Sequence, residues 1–339
     1  MGSKDQGGEF SILVLGAGSI GRRHLANLRA LGVKRLAACD PDKQRLRHVA
    51  SELGVDCFDD LQTALSDWRP VVVFICTPPV YHIEQALAAI RAGAHVFVEK
   101  PLSGRIAQDI DELEREANAR NCLVQVGYNL RFHPGLQKIK ELLDQGMIGE
   151  VLWAHAEAGQ YLPDWRPWQD YRQSYTARSS LGGGILLDGS HELDYVLWLL
   201  GHPAEVLCMA GKVSSLEVDV EDCACVLLRM EHGAIVEIHL DFVQRGYSRH
   251  CKIAGEKGTL MWDFSAREVR CFDGGSKEWH SFPYSFEPNE MYLAEVRHFL
   301  DCIASGQRPH VGIREAVRVL HLVSAAKESA ERSTARSLT

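Results

Sequence analysis

The chain has 339 residues, 46% of them hydrophobic and 24% charged, with a formal net charge of −8. That length exceeds what one core usually holds and points to two globular domains. The acidic balance argues against nucleic-acid binding and no apolar run is long enough to span a bilayer, so neither nucleic acid nor membrane is an expected partner.

Residues 1–9 are polar and Gly-rich, lack the hydrophobic stretch of a signal peptide, and read as a flexible lead-in to a cytoplasmic protein. From residue 10 short apolar runs alternate with amphipathic stretches. Strands are expected at Ser11–Leu15, Arg35–Cys39, Val71–Cys76, Ala94–Val98 and Leu123–Val126. Helices are expected at Ile20–Leu31, Asp42–Leu53, Val80–Ala92 and Arg105–Asn121. Strand–helix alternation of this kind makes a parallel, doubly wound sheet, so residues 10–127 read as a Rossmann-type domain.

The rhythm then changes. A helix at His133–Gln145, a strand at Glu150–Gly159, a polar-aromatic loop at Gln160–Ser180 and a helix at Ile185–Leu200 precede a run of strands joined by short turns. Those strands are Ala204–Val213, Asp222–Met230, Ala234–Val243, Ser248–Ala254, Gly258–Phe264 and Glu268–Phe272. Helices at Asn289–Ser305 and Ile313–Ser329 follow. Hairpin turns imply antiparallel pairing. Residues 128–330 are therefore read as one α+β domain with a large, mostly antiparallel open sheet, and 331–339 as a tail. The fold class is α/β followed by α+β. A broad open sheet needs cover on both faces, which suggests a homodimer or homotetramer formed through it.

Ten cysteines are scattered without a CxxC pair and read as free thiols of a reducing compartment. Cys223 and Cys225 alternate onto one strand face. No residue is assigned as a metal ligand.

Gly16-Ala17-Gly18-Ser19-Ile20-Gly21 follows a strand and opens a helix, the context that gives GxGxxG its meaning. Gly16 permits the tight turn, Gly18 the approach of a pyrophosphate, Gly21 close helix–strand packing. Ser19 and Ile20 offer amides at the helix start. Asp40 stands 19 residues after Gly21, where an acid meets the adenosine ribose. An acid there disfavours the extra phosphate of NADP, so NAD is the expected cofactor, with Arg45 nearby keeping NADP open. Thr77 and Pro78 follow the central strand, and Thr77 reads equally as a helix cap or a cofactor contact. His82 is either a neighbour of the cofactor or a packing residue. Glu99 and Lys100 end the next strand, with the lysine at the nicotinamide end. Asp188 and His191, three apart at a helix start, pair a carboxylate with an imidazole suited to proton transfer.

GAGSIG, TPP, EKP, GYNLRFHP and GGGILLDGSHELD occur in this order over almost the whole chain. The set resembles the glucose–fructose oxidoreductase/inositol dehydrogenase (Gfo/Idh/MocA) family. The resemblance implies the fold above, bound NAD(P), sugar-like or cyclitol substrates, and Lys100 as the catalytic lysine in a Lys–Pro bond that relatives often hold cis. One feature departs: many relatives space the Asp and His four apart, whereas Asp188 and His191 are three apart with Glu192 following.

On this reading His191 accepts the hydroxyl proton, hydride passes to the nicotinamide, Lys100 stabilises the reacting oxygen, and Asp188 orients the base or meets substrate. Asn129, Arg131, Trp165 and Arg166 are the expected substrate contacts, since aromatic rings stack on sugars and arginine forks bind anions. His133, Asp241 and Arg245 stand near these in the sequence reading. The substrate is then a sugar, cyclitol or nucleotide sugar. A redox-neutral glycosidase using NAD transiently, or a non-catalytic NAD-binding regulator, remains an alternative.

Overall fold

The computed structural model describes residues 10–106 and 109–338; the expected lead-in, 1–9, lies outside the described residues. The chain divides into two compact units, residues 1–129 with 288–317, and 130–287 with 318–339.

In the first unit, β1 (Ser11–Leu15), β2 (Arg35–Cys39), β3 (Asp56–Phe58), β4 (Val72–Ile75), β5 (His95–Glu99) and β6 (Val124–Gly127) form a sheet in the order β3-β2-β1-β4-β5-β6. Every neighbouring pair is parallel. The order reverses between β1 and β4, and ligands of such sheets bind at that reversal, beyond the strands' carboxyl ends. Both central strands are buried at every residue, which explains their continuous apolar runs. Phe74 of β4 stacks on Phe97 of β5 at 4.7 Å. The helix expected from Arg105 runs over Asp109–Ala119, with Arg105 and Ile106 outside it.

The second domain was expected to be continuous over 128–330; Pro288–Val317 instead groups with the first unit. The reason lies in packing. Helix Pro288–Ser305 contributes Val296, Phe299 and Leu300 to the core of the parallel sheet. Phe299 meets Phe74 and Phe97 at 6.3 and 5.9 Å. Asn289 exchanges side-chain hydrogen bonds with Asn27, and the Glu295 carbonyl accepts from Gln125.

The second unit is built on β7 (Val151–Gly159), β8 (Pro203–Gly211), β9 (Cys223–Met230), β10 (Ile235–Asp241), β11 (Ser248–Gly255), β12 (Gly258–Asp263), β13 (Glu268–Asp273), β14 (Glu278–Pro283) and β15 (Arg336–Ser337), in the order β14-β13-β12-β11-β7-β10-β9-β8-β15. All pairs are antiparallel except β7–β10. The expected tail therefore carries an edge strand: Arg336 and Ser337 pair with β8. Helices Pro134–Asp144, Ile185–Asp188 and Ser190–Leu200 pack on the sheet. Residues of β9 alternate between buried and exposed. Leu207, Met209 and Leu227 are exposed on β8 and β9. All ten cysteines are free thiols; most are buried, but Cys57 and Cys225 are exposed. Among the described residues no helix is long and apolar enough to cross a membrane.

Candidate cofactor and active site

The glycine loop stands at the sheet reversal. The Gly16 amide donates to the Cys39 carbonyl at 2.8 Å, and the Cys76 amide to Leu15 at 2.8 Å, which ties the ends of β1, β2 and β4 together. Gly16 has φ +89°, and a Cβ there would stand 2.7 Å from the Cys76 carbonyl oxygen. A Cβ on Gly21 would stand 1.8 Å from the Gly16 oxygen. At Gly18, by contrast, nothing lies within 4 Å of a Cβ position. Gly18 also opens helix Ser19–Ala30, and no side chain among the described residues caps it. Open space before uncapped helix amides fits a dinucleotide pyrophosphate. Ser19 is exposed and Ile20 half-buried at this opening.

Gly21→Ala should weaken NAD binding roughly tenfold or more, because overpacking of this kind costs about 1–3 kcal/mol. Calorimetric titration with NAD checks it, and unchanged affinity would show that the helix can move away without loss.

Asp40 is buried at the end of β2. Its carboxylate accepts from the Ala17 and Asp42 amides, each at 2.8 Å, so it braces the glycine loop from below. Arg45 approaches it to 3.7 Å. The Thr77 hydroxyl donates to Gln85 Oε1 at 2.6 Å, which directs it toward the following helix. Pro78 continues the chain in extended conformation into Pro79.

Of the two readings of His82, the structure favours packing over the cofactor contact. It is buried, with Nδ1 2.8 Å from the Pro101 carbonyl and Nε2 2.8 Å from the Thr77 carbonyl. Burial holds its pKa below the ordinary histidine range. The ring is packed between the TPP and EKP loops and, being neutral, donates to one of the two carbonyls. Glu99 is likewise tethered, with Oε1 2.7 Å from Nε2 of the buried His24. Lys100 follows, half-buried, and the Lys100–Pro101 peptide is cis. The loop that presents the lysine is thus fixed on both sides.

In the second unit the expected single helix Ile185–Leu200 is two segments broken at Gly189. A Cβ on Gly189 would meet the Ile185 oxygen at 2.8 Å and Leu240 at 3.1 Å, so close packing on β10 requires glycine there. Asp188 ends the first segment and His191 sits in the first turn of the second. The Asp188 carboxylate accepts from Tyr175 Oη at 3.0 Å and Thr176 Oγ1 at 2.6 Å. Glu192, beside His191, is fully buried in an ion pair with Arg249, Nε to Oε1 2.9 Å. His191 itself is half-buried. The acid at Asp188 is therefore oriented by hydroxyls of the loop, and the acid at Glu192 by an arginine of β11.

An oxidoreductase-family model with an NAD-binding Rossmann fold matches residues 10–128, and a GFO/IDH/MocA C-terminal domain model matches 136–261. Myo-inositol 2-dehydrogenase of Thermotoga maritima is 30% identical over 337 residues, covering 94% of this chain and 95% of that protein. The chain belongs to the Gfo/Idh/MocA family. The fold is shared with an NAD-binding oxidoreductase from Klebsiella pneumoniae (TM-score 0.86, 21% identity, 98% of this chain and 100% of that one). It is also shared with the WlbA dehydrogenase of Bordetella pertussis, solved with NADH and UDP-GlcNAcA (TM-score 0.83, 21% identity, 98% and 99%).

Within this Gfo/Idh/MocA chain the expected substrate residues divide. Arg131 is buried and its fork is committed to Asp194, Nε to Oδ2 2.9 Å and Nη2 to Oδ1 2.7 Å, which corrects its assignment to substrate. Asn129 is buried at the end of the first unit's opening segment. Trp165 donates from Nε1 to the Gln160 carbonyl at 3.0 Å and meets Phe242 edge-on, while Arg166 Nη1 reaches Ser174 Oγ at 3.4 Å. Both are half-buried and support the loop's own shape. Arg245 lies over the Tyr161 ring, and Asp241 accepts from His239, Gln244 and the Val243 amide. Tyr175 stands in the polar-aromatic loop that the sequence reading singled out; Thr176 beside it was missed, as were Arg249 and His24, which come from distant segments that no local spacing marks.

His133 is structural. Its Nδ1 accepts from the Gly135 amide, capping helix Pro134–Asp144, and Trp262, Phe264, Tyr284 and Phe286 surround its ring. Burial, then the charge of Arg249, push its pKa down to about 3. The folded state therefore holds it neutral, and its contribution is fully present above the ordinary value of 6.5 and is lost as pH falls toward 3. His133→Asn retains a capping oxygen. The parent's melting temperature should fall more steeply than the variant's as pH drops through this window, and equal slopes would contradict a neutral buried imidazole.

Proposed function

We propose that this chain is an NAD-dependent dehydrogenase acting on a CH–OH group of a sugar, cyclitol or nucleotide sugar. The observation that carries the reading is the bracing of Lys100 at the carboxyl end of β5, in the same unit as an open glycine cradle suited to pyrophosphate. The two relatives named above, one for a cyclitol and one solved with a nucleotide sugar, support the substrate class. Bound nicotinamide supplies the hydride acceptor. His191 takes the hydroxyl proton, Lys100 donates a hydrogen bond to the oxygen as negative charge develops, and Asp188, held by Tyr175 and Thr176, positions the polar groups around the base. The buried Asp40 carboxylate favours NAD by repelling a phosphate on the adenosine ribose.

NADH formation is followed while cyclitols, sugars, sugar acids and nucleotide sugars are offered with NAD or NADP. Reduction of NAD by one substrate class is the expected result. NAD binding with no reduction, together with glycoside cleavage, would replace this reading with the redox-neutral one. The reading includes two or four copies joined through the outer sheet residues Leu207, Met209 and Leu227. Met209→Glu should reduce the particle mass in light scattering, and an unchanged assembly would exclude this face.

A further inference from the structure

Strands β7 and β11 carry a group of side chains that the dehydrogenase reading does not use. His155 and Glu157 are two apart on β7 and so share a face, and His250 of β11 is the direct cross-strand partner of Glu157. Nε2 of His155 and Nε2 of His250 each lie 3.7 Å from Glu157 Oε2. One ligand atom from each of the three lies within 4.8 Å of the others. Contacts of 3.7 Å are too long for charge-assisted hydrogen bonds, so the trio stands around a common point without bonding across it. Ligands about 2.0–2.1 Å from a tetrahedral zinc ion are about 3.4 Å from one another, within a few tenths of an ångström of the two separations from Glu157, so the two imidazoles need only a small rotamer adjustment to close on an ion.

A polar group stands behind the opposite atom of each residue. His155 Nδ1 lies 3.4 Å from Glu237 Oε2, His250 Nδ1 lies 3.4 Å from Ser248 Oγ, and Glu157 Oε1 accepts from Gln244 Nε2 at 3.1 Å. A carboxylate or hydroxyl behind a ligating imidazole fixes its tautomer and aim, the usual support of a metal-binding histidine. The nearby His239 is engaged differently, by Asp241 and Cys225. In the single chain the three side chains are 20–35% exposed, so an ion can enter before copies join over this sheet face.

We propose that His155, Glu157 and His250 bind one divalent cation of the zinc class, pinning β7 to β11, with a fourth position open. Two imidazoles and one carboxylate suit zinc and leave calcium or magnesium, which take oxygen ligands, poorly served. The site stands apart from the nicotinamide chemistry and survives if the proposed substrate class is wrong.

The full-length protein is stripped with a chelator, titrated with Zn(II) and separately with Co(II), and analysed for metal after gel filtration. One zinc per chain is expected, with the visible absorption of tetrahedral cobalt. His155→Asn/His250→Asn should bind none while retaining the melting temperature of the stripped parent. Should that variant misfold, Glu237→Gln serves instead, and loss of the outer carboxylate should weaken zinc binding about tenfold or more. His239→Asn should keep the ion. Absence of zinc from the parent, full occupancy in the double variant, undiminished affinity in Glu237→Gln, or loss of zinc in His239→Asn overturns the proposal.

Discussion

Lys100→Ala should lower kcat by about 10²–10³, the range seen when a donor to a developing oxyanion is removed. NAD affinity should stay close to that of the parent. The expectation rests on how the loop is held. Glu99 is anchored to His24, and the buried His82 ring is packed between the Pro101 and Thr77 carbonyls, so truncating the lysine removes its ammonium without releasing its backbone. If the lysine acts only on the transition state, kcat and kcat/KM fall together; a rise in KM alone would make it a ground-state binding group. Normal turnover in the variant refutes a catalytic role outright.

Asp194→Asn should destabilise the second unit by about 3–5 kcal/mol, because it strands the buried Arg131 charge. The pair is bidentate, and the Arg131 and Asp194 side chains are only 9% and 1% exposed. Denaturant unfolding of parent and variant measures the loss. The double variant Arg131→Met/Asp194→Leu should recover much of it, since replacing both charges removes the desolvation penalty together with the attraction. A loss below about 1 kcal/mol in the single variant would match a solvent-screened surface pair instead. Asp194 lies in the helix that carries His191 in its first turn, so activity and stability are to be read on the same samples.

Much of the first unit was legible because its signals are local. The apolar, β-branched run at 71–76 reads as a strand buried on both faces, and the glycine spacing at 16–21 states its own backbone demands, met at Gly16 and Gly21 by carbonyls within 2.7 and 1.8 Å of a Cβ. Motif order along the chain was enough to suggest the family that the domain matches establish. What the sequence left undetermined depends on contacts between distant segments. Helix Pro288–Ser305 looks like any amphipathic helix, and only Phe74, Phe97, Asn27 and Gln125 assign it to the first unit. Arg131 looks like an anion binder until Asp194 meets it, and His82 like a cofactor neighbour until two carbonyls enclose it.

The same limit applies to Gly189, whose close packing against Leu240 of β10 only the tertiary structure shows, and to His155, Glu157 and His250, which no spacing motif unites. By itself the sequence determined most element types and the glycine turn, because those follow from backbone sterics and residue chemistry within one segment. Tertiary structure alone decided which acids are oriented, which charges are buried in pairs and which imidazoles face a common point, because sheet register brings together residues that the chain keeps far apart.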